Sequence, residues 1–152
     1  MFQIQENAMT PNSSPHDAAC SPVETLLREL YAARVAGELE RLCALFAPDA
    51  FLRLSGSSDG KHLSIAAHGS AEIASWLGVL VKTFRLSDQE TLTSVIEGAR
   101  AAVHWRASIH SRITGVTVPT ELIDVFEVKA GLILRYVELF APAPMLPTET
   151  SS

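Results

Sequence analysis

Two carboxylates stand where the local pattern calls for apolar side chains. In Leu122-Ile123-Asp124-Val125-Phe126-Glu127-Val128, side chains two apart point the same way, so Asp124 shares a face with Leu122, Phe126 and Val128. In Leu134-Arg135-Tyr136-Val137-Glu138-Leu139-Phe140, Glu138 shares a face with Leu134, Tyr136 and Phe140. A carboxylate on an apolar face is expensive to bury unless it is partnered, protonated or lining a wet pocket, and two of them point to a pocket. The chemistry such a pocket offers is proton transfer. Desolvation would raise the pKa of Asp124, and two close carboxylates cannot easily ionise together, so one holds a proton while the other accepts one. Tyr136 lies between them in the alternation and could donate to a developing oxyanion or simply cap the pocket. Asp124, Glu138 and Tyr136 are therefore the candidate catalytic residues. Each has a structural alternative: Asp124 bonded to a backbone amide or to Tyr136, Glu138 paired with an arginine at the rim.

The expected walls of the pocket are Trp76, Val103, Trp105, Ile109, Phe126 and Phe140, with Leu54 and His68 as further ligand contacts. Walls of this kind suit a hydrophobic, cyclic small molecule. His104, Arg106, Ser108, His110 and Arg112 alternate with the apolar set and face the other way, as do Ile123 and Val125. That mixed outer face suits an isologous homodimer. It is not read as a metal site, because no third ligand arrives at metal spacing. No Gly-rich phosphate loop follows a strand, so no cofactor is expected.

The elements that must carry these residues are legible from their periods. Ser21-Pro22-Val23-Glu24 reads as an N-cap, a first-turn proline and a capping-box glutamate. Val23, Leu26, Leu27, Leu30, Tyr31 and Val35 then recur at helical spacing up to Gly37. A short second helix is expected from Glu38 to about Phe46, a strand over 50–55 and a mobile loop over 56–60, with His62 and His68 flanking it. A third helix spans 70–84 behind a Ser70 N-cap, with Ile73, Trp76, Leu77, Leu80, Val81 and Phe84 on one side. Four strands follow, over 90–96, 101–112, 116–128 and 132–140, separated by turn signals at Gly98, Gly115 and Gly131. Helices first and hairpins afterwards give an α+β architecture, with helices packed on one face of a curved antiparallel sheet. The expected organisation is a disordered leader over 1–20, one domain over 21–141 and a flexible tail over 142–152.

A chain of 152 residues is sized for a single domain. Its net charge of −5 and lack of a basic cluster argue against nucleic acid as a partner. Neither a signal peptide nor a membrane span is evident, so a soluble cytoplasmic protein is expected. Cys20 and Cys43 read as a spare exposed thiol and a buried structural one.

The run Tyr31-Ala32-Ala33-Arg34-Val35-Ala36-Gly37-Glu38-Leu39-Glu40, followed by Leu45-Phe46-Ala47-Pro48-Asp49-Ala50, resembles the opening of the nuclear transport factor 2-like superfamily. Gly69 with Ile73, and the stretch from Asp124 to Ile133, continue the resemblance to its SnoaL-like, polyketide cyclase and ketosteroid isomerase-like branch over about residues 22–141. The resemblance implies a cone-shaped, cystatin-like fold. It also implies that Asp124 falls where the isomerases hold a protonated aspartic acid and the cyclases their acid/base aspartate. The isomerase general base would fall near Leu54 and its oxyanion tyrosine near Leu30, so those roles are unfilled. The charged strand residues of the epoxide hydrolases are likewise replaced by Trp105, Ala107 and Ile109. The expected function is acid/base chemistry of isomerase, cyclase or lyase type on a small hydrophobic carbonyl compound. The alternative is a non-catalytic binding or accessory module.

Overall fold

The computed structural model describes residues 21–58 and 61–142. The expected leader, the tail beyond residue 142 and the tip of the expected loop lie outside these residues. Helix α1 (Pro22–Ala36) begins where the sequence says it should: the Ser21 hydroxyl accepts the Glu24 backbone N–H at 3.1 Å, and proline occupies the first turn. It ends at Gly37, whose φ of 71° is the left-handed conformation that glycine adopts without strain. Leu26, Leu27, Leu30 and Tyr31 are buried along its inner stripe.

Helix α2 (Leu39–Cys43) is shorter than its periodicity suggests. The chain leaves it early because Phe46 already pairs with Ile133, and the Ile133 N–H donates to the Leu45 carbonyl at 2.8 Å. Strand β1 (Phe46–Ser58) therefore starts before and runs beyond the expected 50–55. It continues through Gly56, where a loop was expected, and pairs with strand β2 (Lys61–His68) up to Ser58 opposite Lys61. Strand β2 had no clear signal because only Ile65 and Ala67 are buried along it. Helix α3 (Ser70–Thr83) is capped by Gly69 rather than Ser70, and the Glu72 carboxylate accepts the His68 N–H at 2.7 Å. Strand β3 (Phe84–Glu97) starts earlier than expected, directly after α3. Strands β4 (Arg100–Ser111), β5 (Thr117–Lys129) and β6 (Leu132–Pro142) lie close to their expected spans.

Among the described residues one curved sheet of six strands results, in the order β2-β1-β6-β5-β4-β3. Every pairing is antiparallel except β1 with β6, which run parallel and join the early part of the chain to its last strand. The inner face carries Leu52 and Leu54, Val103 and Trp105, Leu122 and Phe126, and Ile133 and Tyr136, all buried. The outer face leaves Ile123, Val125 and Leu139 exposed.

Candidate functional site

The inner face of the sheet is divided along the strands. One half is covered by α1, whose Tyr31 and Arg34 reach its polar side chains. The other, between α3 and the far halves of β4, β5 and β6, is an apolar cavity of about 500 Å³. Its wall includes Leu77, Leu80 and Val81 of α3, Phe84 and Leu86 of β3, Ile109 of β4, Val118 and Leu122 of β5, Phe140 of β6 and Leu54 of β1. Lys61 and His62 contribute polar groups to this lining, and Arg34 and Glu138 a charged pair.

The boundary between the half under α1 and the cavity is a connected polar cluster. Cross-strand register sets Leu54 beside Glu138, Glu138 beside Asp124 and Asp124 beside Val103. Helix α1 lays Tyr31 and Arg34, three residues apart on one face, over this row. Arg34 Nη1 donates to Glu138 Oε1 at 2.6 Å and to Tyr136 Oη at 2.8 Å. The guanidinium also lies 5.2 Å from the centre of the Trp105 ring, a cation–π contact. Behind this pair, Asp124 Oδ2 lies 2.6 Å from Tyr31 Oη, 2.8 Å from Trp105 Nε1 and 3.1 Å from Tyr136 Oη. Tyr136 Oη is also 2.9 Å from Glu138 Oε1. Among the described residues, Asp124 Oδ1 is buried without a hydrogen-bond partner.

The electrostatics follow from burial. Asp124 is 0% exposed, and desolvation raises its pKa well above the ordinary aspartate range. The charge of Glu138 pushes the same way, while Arg34 and the bonds from Tyr31 and Trp105 oppose it. Burial likewise raises the pKa of Tyr136, and burial with the neighbouring Asp124 raises that of Tyr31, so both phenols remain donors. Tyr136 is held sterically too: its ring stacks on Phe46 with centroids 6.0 Å apart and lies 4.7 Å from that of Phe126.

The expectation that Asp124 opens onto the pocket is corrected: it is sealed beneath α1 and does not line the cavity. Alternation gives the face on which a side chain lies, but not which part of that face a helix will cover. The same reasoning corrects three wall residues, and Trp76 and His68 are corrected with them. Trp105 and Phe126 are buried in the half under α1, as is Val103, which borders a groove between α1 and β3. Trp76 is exposed on α3 at 37%, outside the cavity wall. His68 is exposed at the end of β2 and also lies outside it. Glu138, Leu54, Ile109 and Phe140 do line the cavity. Tyr136 joins the two carboxyls from just behind the wall. Sequence reasoning missed Arg34 as a site residue and placed Tyr31 only among the helically spaced residues of α1. A signal for Arg34 was present: it stands four residues after Leu30 and seven after Leu27, on the buried stripe of α1. Among the described residues no group of His, Cys, Asp and Glu side chains could hold a metal ion, and no helix is long and apolar enough to cross a membrane.

Comparison with known proteins gives a consistent picture. The family profile described as a SnoaL-like domain matches residues 27–136. No curated protein matches the sequence. Among solved structures, a candidate isomerase from Bacillus subtilis is 20% identical, with 84% of this chain and 89% of that one covered and a TM-score of 0.66. An LEH-like epoxide hydrolase from M. tuberculosis is 15% identical over 78% of this chain and 82% of its own, with a TM-score of 0.60. A computationally designed 17-OHP binder is 21% identical over 78% and 92%, with a TM-score of 0.64. At these identities the likeness is one of fold.

Proposed function

Because this chain belongs to the SnoaL-like domain family, we propose that it takes a small hydrophobic carbonyl compound into its cavity and carries out acid/base chemistry on it. The observation that carries this reading is the Arg34–Glu138 pair, at 2.6 Å, in the wall of an otherwise largely apolar cavity of about 500 Å³. Both bonds from Arg34 to the cluster come from Nη1. The guanidinium has further donors that could meet the carbonyl oxygen and stabilise charge developing there. Glu138 then serves as the base for a proton on the adjacent carbon. Tyr136 and the Tyr31–Asp124–Trp105 set hold the pair in position, which moves Asp124 from direct contact with ligand to a supporting place. Isomerisation, ring closure and elimination can all begin with that proton abstraction.

Cyclic ketones sized to the cavity test this in deuterated water. Binding should be seen by ligand-observed NMR, and exchange of the proton next to the carbonyl should accompany it. Glu138→Gln should keep binding and lose exchange by at least about a hundredfold, the usual scale of a general base. Exchange undiminished in Glu138→Gln would overturn the assignment.

A second reading, a binding module without turnover, is favoured by one feature: Glu138 already receives bonds from both Arg34 and Tyr136, as a finished structural pair would. On that reading ligand binds the wild type and no exchange occurs. We further propose a homodimer through the outer sheet face, supported by exposed Ile123, Val125 and Leu139 beside the His104–Glu121 and Arg106–Glu90 pairs. The cytoplasm is the proposed location, where the half-buried Cys43 thiol would stay reduced.

A further inference from the structure

We infer that Tyr136 is a proton relay joining Asp124, a reservoir sealed from water, to Glu138, the carboxyl that meets the cavity. A count of hydrogens supports this. The Tyr136 hydroxyl has one proton and two lone pairs, yet it stands within hydrogen-bond distance of three groups: Arg34 Nη1 at 2.8 Å, Glu138 Oε1 at 2.9 Å and Asp124 Oδ2 at 3.1 Å. Arg34 can only donate. Two ionised carboxylates would then compete for a single proton, and one oxygen would face the hydroxyl unbonded. The set closes when one carboxyl brings a proton of its own.

Asp124 is the one that does. Its Oδ1 is buried with no donor among the described residues, a defect far more costly for a charged carboxylate than for a neutral acid. Glu138 instead has a guanidinium at 2.6 Å. Among the described residues, the other charged or titratable groups against the cluster are Tyr31 and Arg34 from α1, and Trp105 adds a neutral donor from β4. In the resting order, Asp124 Oδ2–H donates to Tyr136 Oη, Tyr136 donates to Glu138 Oε1, and Arg34 donates to both Tyr136 and Glu138.

From that order the relay step balances. The Asp124 O–H bond breaks as Tyr136 Oη takes the proton, and Tyr136 releases its own proton to Glu138 Oε1. Asp124 becomes a carboxylate, Glu138 a neutral acid, Tyr136 is unchanged and total charge is conserved. Tyr31 and Trp105 are already placed to receive the new charge on Asp124. Glu138 can thus face the cavity as a base or as an acid without water entering. The use made of that proton rests on the function proposed above, but its position does not.

Infrared spectroscopy of the full chain without ligand reads that position. Near neutral pH the wild type should show the carbonyl stretch of a protonated carboxyl group. The band should be lost in Asp124→Asn, kept in Glu138→Gln and displaced in Tyr136→Phe, where the acid loses its acceptor. In Arg34→Gln, which strips Glu138 of its cation, the proton should cross, so that the band is now lost on adding Glu138→Gln instead of Asp124→Asn. Circular dichroism identifies variants that keep the fold, and the wild-type spectrum stands without them. Absence of the band in the wild type, a band indifferent to Tyr136→Phe, or a proton that stays on Asp124 in Arg34→Gln would each overturn the relay. Failure to find turnover would leave these spectra untouched, and failure here would leave the cavity and its Arg34–Glu138 pair as argued.

Discussion

Asp124 does two separable things, and two substitutions separate them. Its oxygen accepts from Tyr31 and Trp105 inside a dry cluster. Asp124→Leu orphans both donors, and each should cost about 1–3 kcal/mol in urea denaturation; a Leu variant as stable as wild type would show that these bonds contribute nothing. Its ionisation is the other matter. The folded protein holds the Asp124 proton more tightly than the unfolded chain, where the ordinary value is 3.8. Folding therefore takes up a proton between the two values, and the stability gained is complete below 3.8 and is lost as pH rises toward the raised folded value. Asp124→Asn has no such dependence, so its disadvantage relative to wild type should shrink as pH climbs from about 4 toward neutral; a gap that widens instead would contradict a raised pKa. The two carboxylates were legible because they break a period of two. Their depth was not, since depth depends on α1, which reaches them from a hundred residues away. Arg34 broke a period of 3.6 in the same manner, but a long aliphatic stem that can reach outward makes such a break easy to pass over.

At the scale of elements, local chemistry decided the ends and tertiary pairing decided the lengths. The start of α1 and the turns after β3 and β5 were readable from Ser21, Gly98 and Ala130-Gly131, because caps and turns are local. The end of α2 was not, since Leu45 and Phe46 are claimed by β6 rather than by their own helix. Strand β2 was hidden for a related reason: an edge strand with two buried side chains has almost no alternation to show. Gly56 is the clearest case of a residue whose meaning appears only in the pairing. Read as part of a loop, it lies in β1 opposite Phe140, and a Cβ there would run into the Phe140 carbonyl oxygen and come 2.7 Å from its ring. Gly56→Ala must push β6 away at the cavity wall. A loss of about 1–3 kcal/mol is expected, on the scale of overpacked sites, with weaker ligand binding as Phe140 shifts. Unchanged thermal stability would mean that the two strands separate there at no cost.

For the molecule as a whole, the α+β cone was legible and the strand order was not, because helical and strand periods report faces but never neighbours. The outer face offers a test of assembly. Val125→Glu sets a second acid near Glu127 among Ile123 and Leu139, and at a buried interface its desolvation and repulsion should yield monomers in sedimentation. A wild type that already sediments as a monomer would show this face to be simply solvated. The parallel pairing of β1 with β6 bears on how the chain comes together in time. Everything from β3 to β6 is a meander of neighbours, and the helices with β1 and β2 form a second local unit, so each can organise early. The seam between them closes a long loop and is expected to be the slow event, which refolding kinetics of a variant weakened at the β1–β6 pairing would check. Arg34 and Glu138 are 104 residues apart and lie on opposite sides of it. No partly folded intermediate can therefore own the site: it comes into being when the seam shuts. A molecule bound in the cavity against both side chains acts as a clasp across the seam, and the more tightly it binds, the more it should stabilise the folded chain.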